Sequence, residues 1–180
     1  AIAIFDFNRI NSAKISDLRI TGIFFLLASF NSILSEPIAE EITIISAVII
    51  FLKSPLHFLL SHQILLFKII GRKSKKIYEI PASYAEIDGA LVCVTLRENL
   101  WWKNFKNIKS QDIYFKGKLI TKQISINYDD NKYVRTKLRE LIMHNPIDAF
   151  FAGVSLNKDK SPNEIDLEKA SKSHTVIELT

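Results

Sequence analysis

Residues 64–84 read ILLFKIIGRKSKKIYEIPASY: an apolar run, a dense basic segment and an alternating segment in succession. The apolar run at 64–70 predicts a buried β-strand, and the alternation of residues 77–83 predicts a second strand. Pro81 has no N–H to donate to a strand ladder, so it places that second strand at a sheet edge or a bulge. Residues 71–76 carry four cations between the two strands. The stretch therefore predicts a β-hairpin with a basic turn.

Turn and cap signals divide the following residues into further strands and helices. Asp88-Gly89 and Lys116-Gly117 fit tight hairpin turns, because glycine accepts the positive φ that such turns require. The pattern predicts strands at 90–97, at 112–127 on both sides of the second turn, and at 174–180, with helices at 54–63, 129–145 and 164–173. Strands joined by hairpins with helices around them predict an α+β fold, mainly antiparallel β, built as a small barrel with peripheral helices.

Composition limits the chemistry of the protein. The 180 residues carry a net charge of +5, which fits an anionic partner such as phosphate, nucleic acid or an anionic membrane surface. Cys93 is the only cysteine and lies in the apolar run ALVCV, so we predict a buried core thiol and no internal disulfide. The four histidines are scattered along the chain, and we predict no metal site.

Residues 1–52 differ from the rest and are predicted to form an apolar helical extension. Two apolar stretches, at 20–34 and 42–52, flank the acidic segment SEPIAEE. A bilayer span, contact with a membrane surface through residues 20–52 and packing on the following domain all remain open, since a spanning helix needs about 20 apolar residues. No secretory signal is evident, so we expect a cytoplasmic protein, either free or at the inner face of the membrane.

Two clusters are candidates for a binding site. The basic turn at 71–76 offers an arginine fork, lysines and a hydroxyl for a phosphate, although an exposed, merely solvated turn would look the same. In Trp101-Trp102-Lys103-Asn104 we expect one indole in the core and the other at a rim, with both filling the barrel mouth as the alternative. No hydrolase, metalloprotease or nucleotide-binding motif is present, and we predict neither a catalytic side chain nor a nucleic-acid interface.

Several short motifs follow one another in an order that resembles a known family. Residues 53–180 resemble the split-barrel nitroreductase or quinone-reductase-like proteins, which include the deazaflavin-dependent nitroreductases and belong to the FMN-binding split-barrel superfamily. The resemblance rests on Ser54-Pro55-Leu56-His57, Gly71 to Lys76, Pro81, Tyr84, Asp88-Gly89, and Trp101, Trp102 and Asn104. It implies a split β-barrel of six to seven strands over 53–180, with residues 1–52 as an extension outside it.

The resemblance also implies a cofactor and its contacts. The cofactor would be a deazaflavin or FMN, and it would pass hydride to a small electron acceptor such as a quinone or nitro compound without a catalytic side chain. The resemblance implies that Arg72, Lys73, Ser74 and Lys76 of the basic turn hold the phosphate of the cofactor. It implies that Pro81 and Tyr84 lie along the cofactor channel, and that Trp102 and Asn104 lie near the ring or the substrate.

One departure from the family pattern and one alternative function accompany this reading. Lys75 stands where the family has a glycine, at a position that we expect to need positive φ. The alternative is a non-catalytic split-barrel module that binds a phosphate-bearing ligand or lipid, associated with a membrane through residues 20–52. A homodimer is compatible with either function.

Overall fold

A computed structural model describes residues 46–180 of the chain, and the sequence predictions for residues 1–45 lie outside this range. Within the described range, no helix is long and apolar enough to cross a membrane. The apolar stretch at 20–34 and residues 42–45 of the second apolar stretch lie outside the described residues. The predicted boundary between the N-terminal extension and the barrel domain at residue 52 stays a prediction.

Seven antiparallel strands form the body of the described chain. They are β1 (Ile64–Ile70), β2 (Ile77–Ser83), β3 (Ala85–Ile87), β4 (Ala90–Leu96), β5 (Ser110–Phe115), β6 (Lys118–Asn127) and β7 (His174–Leu179). Their order across the sheet is β2-β1-β5-β6-β7-β4-β3. The predicted α+β, mainly antiparallel fold is confirmed, with the strand number at the upper end of the predicted six to seven.

The sheet is a split barrel because one strand is shared between two halves. Lys118–Gln123 of β6 pair with β5, whereas Ile124–Asn127 pair with β7. The two ends of the strand order, β2 and β3, are consecutive in the chain and separated only by Tyr84. The sheet therefore curls until its end strands meet in one bent segment. Pro81 lies in β2 at one end of the order, which confirms the predicted edge position.

The turns and the first short helix follow the sequence signals. Asp88 and Gly89 have φ of 51° and 80°, and Lys116 and Gly117 have φ of 47° and 75°, as two-residue hairpin turns require. A 3-10 helix spans Pro55–Leu59, and the Ser54 hydroxyl accepts a hydrogen bond from the Leu56 N–H.

The barrel interior is filled by apolar side chains, including both tryptophans of the 101–104 motif. Trp101 and Trp102 expose only 7% and 3% of their surface, so the expected division into one core and one rim indole is wrong. The 3-10 helix Trp101–Phe105 carries both rings into the barrel, where Trp101 contacts Phe67. Cys93 is buried in the same cluster, as predicted.

Within residues 46–180, four α-helices cover the outside of the barrel. They are α1 (residues 46–53), α2 (Asn131–His144), α3 (Ile147–Ala152) and α4 (Glu164–Ser171). Asp130 caps α2, whose buried apolar stripe consists of Val134, Leu138, Leu141 and Ile142. The sequence pattern does not predict α3, because Asn145-Pro146 is a signal for the end of a helix. In the structure Pro146 occupies the N-cap position of the next helix, and Gly153 follows the last residue of that helix with a φ of 68°.

The last turns of the N-terminal extension pack on the barrel. Val48 and Leu52 of α1 are buried against Leu66 of β1 and Leu60. Just beyond α1's buried face, Lys53 Nζ lies 2.8 Å from Glu79 Oε1 on β2.

A buried carboxyl group holds α3 against the barrel. Asp148 is 6% exposed, and its Oδ2 accepts a hydrogen bond of 3.2 Å from Ser83 Oγ at the end of β2. None of the ion pairs between described residues involves Asp148. Burial disfavours the charged carboxylate and raises the pKa of Asp148 to about 7, against the smaller opposing effect of hydrogen bonds from Ser83 and Asn145.

Asp148→Asn is therefore expected to change how stability depends on pH. The folded pKa lies above the unfolded value, so the folded state binds the extra proton and this carboxyl favours folding at low pH. Its contribution is lost as pH rises from about 4 to about 7, by up to about 1.4 kcal/mol per pH unit. Urea unfolding at several pH values should show that the variant lacks this slope, so its stability relative to the parent rises between about pH 4 and pH 7 and is constant above that range.

Asp129→Asn, at an exposed aspartate, is the matched control. Its stability is expected to depend on pH as that of the parent does. Equal slopes for parent and Asp148→Asn would contradict a buried, protonated Asp148.

Candidate functional site

The basic turn is closed by two backbone hydrogen bonds. The Gly71 N–H donates to the Lys76 carbonyl at 2.9 Å, and the Lys75 N–H donates to the Gly71 carbonyl at 2.8 Å. Lys75 has a φ of 58°, the left-handed conformation that favours glycine. The expectation that this position needs positive φ is confirmed, and a lysine holds it.

Gly71 is required by close packing within the turn. A Cβ at this position would lie 2.4 Å from Ser74 Oγ and 2.8 Å from the Tyr78 ring. Tyr78 Oη donates to Ser74 Oγ at 3.0 Å, and the Lys76 N–H donates to the same oxygen at 3.3 Å. The Ser74 hydroxyl is thereby fixed as an acceptor, which leaves its own proton for a bound group.

A contact between residues 32 positions apart brings the two candidate clusters together. The Arg72 N–H donates to Asn104 Oδ1 at 3.0 Å, and Arg72 Nη1 lies 3.4 Å from the Lys103 carbonyl. Asn104 is itself oriented, because its Nδ2 donates to the Trp101 carbonyl at 2.9 Å. Burial of the adjacent tryptophans thus anchors the 3-10 helix that supports the turn.

The turn concentrates positive charge, and no described carboxylate forms an ion pair with it. Its four cations are all exposed, and none takes part in the ion pairs found between described residues; they are Arg72, Lys73, Lys75 and Lys76. Lys103 adds a fifth exposed cation through its contact with Arg72. Close like charges repel one another, so an anion bound among them would relieve that repulsion.

The remaining predicted site residues lie away from the turn's hydrogen bonds. Pro81 is buried opposite Leu66, on the outer face of the sheet. Tyr84 is buried with its Oη donating to the Ser61 carbonyl at 2.8 Å, and burial raises the pKa of its phenol to about 12. Trp102 donates its indole N–H to the Arg97 carbonyl at 3.2 Å. The structure therefore joins Arg72, Ser74 and Asn104, and it leaves these three residues outside that group.

Two residues near the site were missed from sequence. The alternation of residues 77–83 places Tyr78 in a strand and gives it no role in the site, although it donates a hydrogen bond to Ser74. No sequence pattern marks Lys106, whose Nζ lies 4.5 Å from the Tyr128 ring centre and 5.3 Å from that of Trp102. A tyrosine four positions after a turn serine was a usable signal, whereas the Lys106 cluster depends on a contact between distant segments.

Other chemistry is limited in the part of the chain that the structure describes. No group of three or more histidine, cysteine, aspartate or glutamate side chains there could hold a metal ion. Burial raises the pKa of the Cys93 thiol, which keeps it protonated and unreactive.

Comparisons with known proteins give distant likenesses only. No family model and no curated protein matches the chain. Among solved structures, one described as a domain-swapped dimer is 14% identical and covers 79% of this chain and 98% of its own, with a TM-score of 0.45. An F420-H2-dependent reductase is 14% identical, covering 64% and 93%, with a TM-score of 0.40. A Clostridium acetobutylicum protein related to general stress protein 26, of the pyridoxinephosphate oxidase family, is 15% identical, covering 72% and 82%, with a TM-score of 0.41.

Lys75→Gly is expected to be more stable than Lys75→Ala. Both variants lose the same charge, but only glycine relieves the left-handed backbone, and its greater freedom in the unfolded chain cancels part of that gain. The net difference in the free energy of unfolding should be about 0.5–1 kcal/mol, measured by urea denaturation.

The same pair of substitutions at the adjacent Lys76, which is not among the residues with positive φ, is the control. There alanine should be at least as stable as glycine. An alanine advantage at Lys75 would contradict the backbone assignment.

Proposed function

We propose that this split barrel binds a phosphate-bearing flavin-type cofactor, a deazaflavin or FMN, at the basic turn, and transfers hydride from it to a quinone or a nitro compound. The observation that carries the proposal is the contact of Arg72 with Asn104. It fixes uncompensated cations beside the motif that the sequence resemblance assigns to the cofactor ring or substrate.

The residues of the turn fit a phosphate. Arg72 offers a planar fork of donors, Lys73 and Lys76 offer mobile ammonium groups, and Ser74 offers a hydroxyl proton. Tyr78 and Asn104 fix the serine oxygen and the Arg72 backbone before any ligand arrives. A site whose backbone is already ordered loses less conformational freedom on binding, which favours affinity.

The ring of such a cofactor has to lie outside the barrel core. Side chains fill the interior, among them Phe67, Trp101 and Phe105, whose ring centres lie 5.2–5.6 Å apart. Pro81, Tyr84 and Trp102 are assigned to the cofactor by the sequence resemblance alone. Tyr84 and Trp102 would act indirectly, by holding the walls on which the ring rests.

A reduced flavin-type cofactor supplies the hydride itself, so the chain needs to bind, orient and shield rather than to exchange protons. In the proposed site the turn holds the anionic end. Asn104, whose Oδ1 and Nδ2 are engaged by Arg72 and Trp101, orients the turn and has a second amide proton left for the cofactor. We propose no catalytic side chain.

A non-catalytic module for a phosphate-bearing ligand or lipid is the second candidate. It is favoured by the buried, internally hydrogen-bonded state of Tyr84 and Trp102, which leaves neither polar group for a ring or substrate. A cytoplasmic location, membrane contact through residues 20–52, a homodimer and the absence of a nucleic-acid partner remain proposals common to both candidates.

Arg72→Ala combined with Lys73→Ala should weaken cofactor binding by about a hundredfold or more, because each charge-assisted hydrogen bond is worth roughly 1.5–3 kcal/mol. Titration of FMN and of a deazaflavin, followed by fluorescence, measures this. Lys118→Ala combined with Lys132→Ala removes the same charge from exposed positions elsewhere. If both double variants behave alike, the turn is not the phosphate site.

The purified full chain should absorb in the near-ultraviolet or blue, or acquire such absorbance when FMN or a deazaflavin is added. This spectrum separates the two candidates, because a module for another phosphate ligand takes up neither. A colourless protein that binds neither compound would rule out the oxidoreductase.

A further inference from the structure

The tip of the β1–β2 hairpin carries two exposed isoleucines next to its basic turn. Ile70 and Ile77 are direct partners across the two strands, and they expose 64% and 60% of their surface. A single exposed isoleucine needs no explanation. A cross-strand pair placed beside four uncompensated cations is a combined apolar and basic surface.

Strand alternation places this pair on the outer face of the sheet. Phe67 and Ile69 belong to the barrel core, so Leu66 and Ile70 face outward. α1 covers Leu66, and the Lys53–Glu79 ion pair lies between that covered zone and the tip. Within the described residues the cover ends there, and the isoleucine pair stays open.

A further exposed cation lies beside the same turn. The Lys103 carbonyl is 3.4 Å from Arg72 Nη1, so Lys103 adds its charge to those of the four turn residues.

We propose that this tip, formed by Ile70, Ile77 and the surrounding cations, docks the barrel on an anionic lipid bilayer surface. Aliphatic side chains enter the headgroup boundary, while lysines on long apolar stems keep their charges at the level of anionic headgroups. Each basic residue near such a surface adds attraction that decays within a Debye length.

Charge complementarity selects this occupant over the others. A second copy docked tip to tip would bring the same cations against each other, which is unfavourable. Nucleic acid would use the cations and leave the isoleucine pair without a partner. The nearest carboxylate along β2, Glu79, is engaged by Lys53, so the tip itself stays positive.

Co-sedimentation of the full chain with vesicles tests the proposal. Binding is expected to vesicles of phosphatidylcholine with phosphatidylglycerol, and not to phosphatidylcholine alone. Ile70→Thr combined with Ile77→Thr keeps β-branched residues in the strands and should weaken binding about tenfold or more through lost apolar burial. Ile165→Thr, at an isoleucine that is 76% exposed on α4, is the matched control and should bind like the parent.

Each other outcome overturns docking through the tip. Equal binding of the double variant would assign any membrane contact to another part of the chain, and equal binding to uncharged vesicles would remove the role of the cations. Complete competition by inorganic pyrophosphate, with no effect of the isoleucine changes, would indicate capture of a phosphate group only. The double variant should keep its affinity for FMN or a deazaflavin, so failure of this proposal and failure of the proposed cofactor are distinguishable.

Discussion

The bend at Tyr84 is the constraint on which the rest of the structure depends. β2 and β3 are the two ends of the sheet order, yet they form one continuous segment that turns at this residue. The Tyr84 N–H donates to the Gln63 carbonyl at 3.0 Å, and its buried Oη donates to the Ser61 carbonyl. These bonds tie the bend to the residues that enter β1, so the hairpin and the barrel closure are fixed together. β2 is therefore an edge strand that is fixed at its C-terminal end by Tyr84, and the basic turn lies at its opposite, N-terminal end.

The candidate site combines a rigid support with an uncompensated charge. Buried tryptophans hold the 3-10 helix, the helix holds Asn104, and Asn104 holds the Arg72 backbone. The exposed cations of the turn therefore stand on a fixed base rather than on a free loop. Lys75 keeps the left-handed conformation at some cost in stability, and in exchange it adds charge where a glycine would add none. Both the cofactor proposal and the membrane proposal use this charge, but they depend on different neighbours, namely Asn104 and the isoleucine pair.

Most of the fold could be predicted because its signals are local. The two-residue turns, the Ser54 and Asp130 caps and the stripe of α2 all depend on residues within a few positions of one another. The missed helix α3 shows the limit of such signals, since a proline that ends one helix can also begin the next. The burial of Trp102 shows a second limit of local signals. Two adjacent indoles usually point in different directions, and only the shape of the barrel mouth decided that both are buried.

The sequence by itself determined the hairpins, the antiparallel class and the edge position of Pro81. Each follows from the stereochemistry of one residue or from a short apolar period, whereas the positive φ at Lys75 was expected from the family resemblance alone, because a lysine side chain disfavours it. Only the tertiary structure decided that β7, the last strand of the chain, lies between β6 and β4, and that Arg72 meets Asn104. Contacts between distant segments depend on how whole faces pack against each other. No short sequence pattern encodes that packing, so only the folded barrel shows that the basic turn and the tryptophan motif form one site.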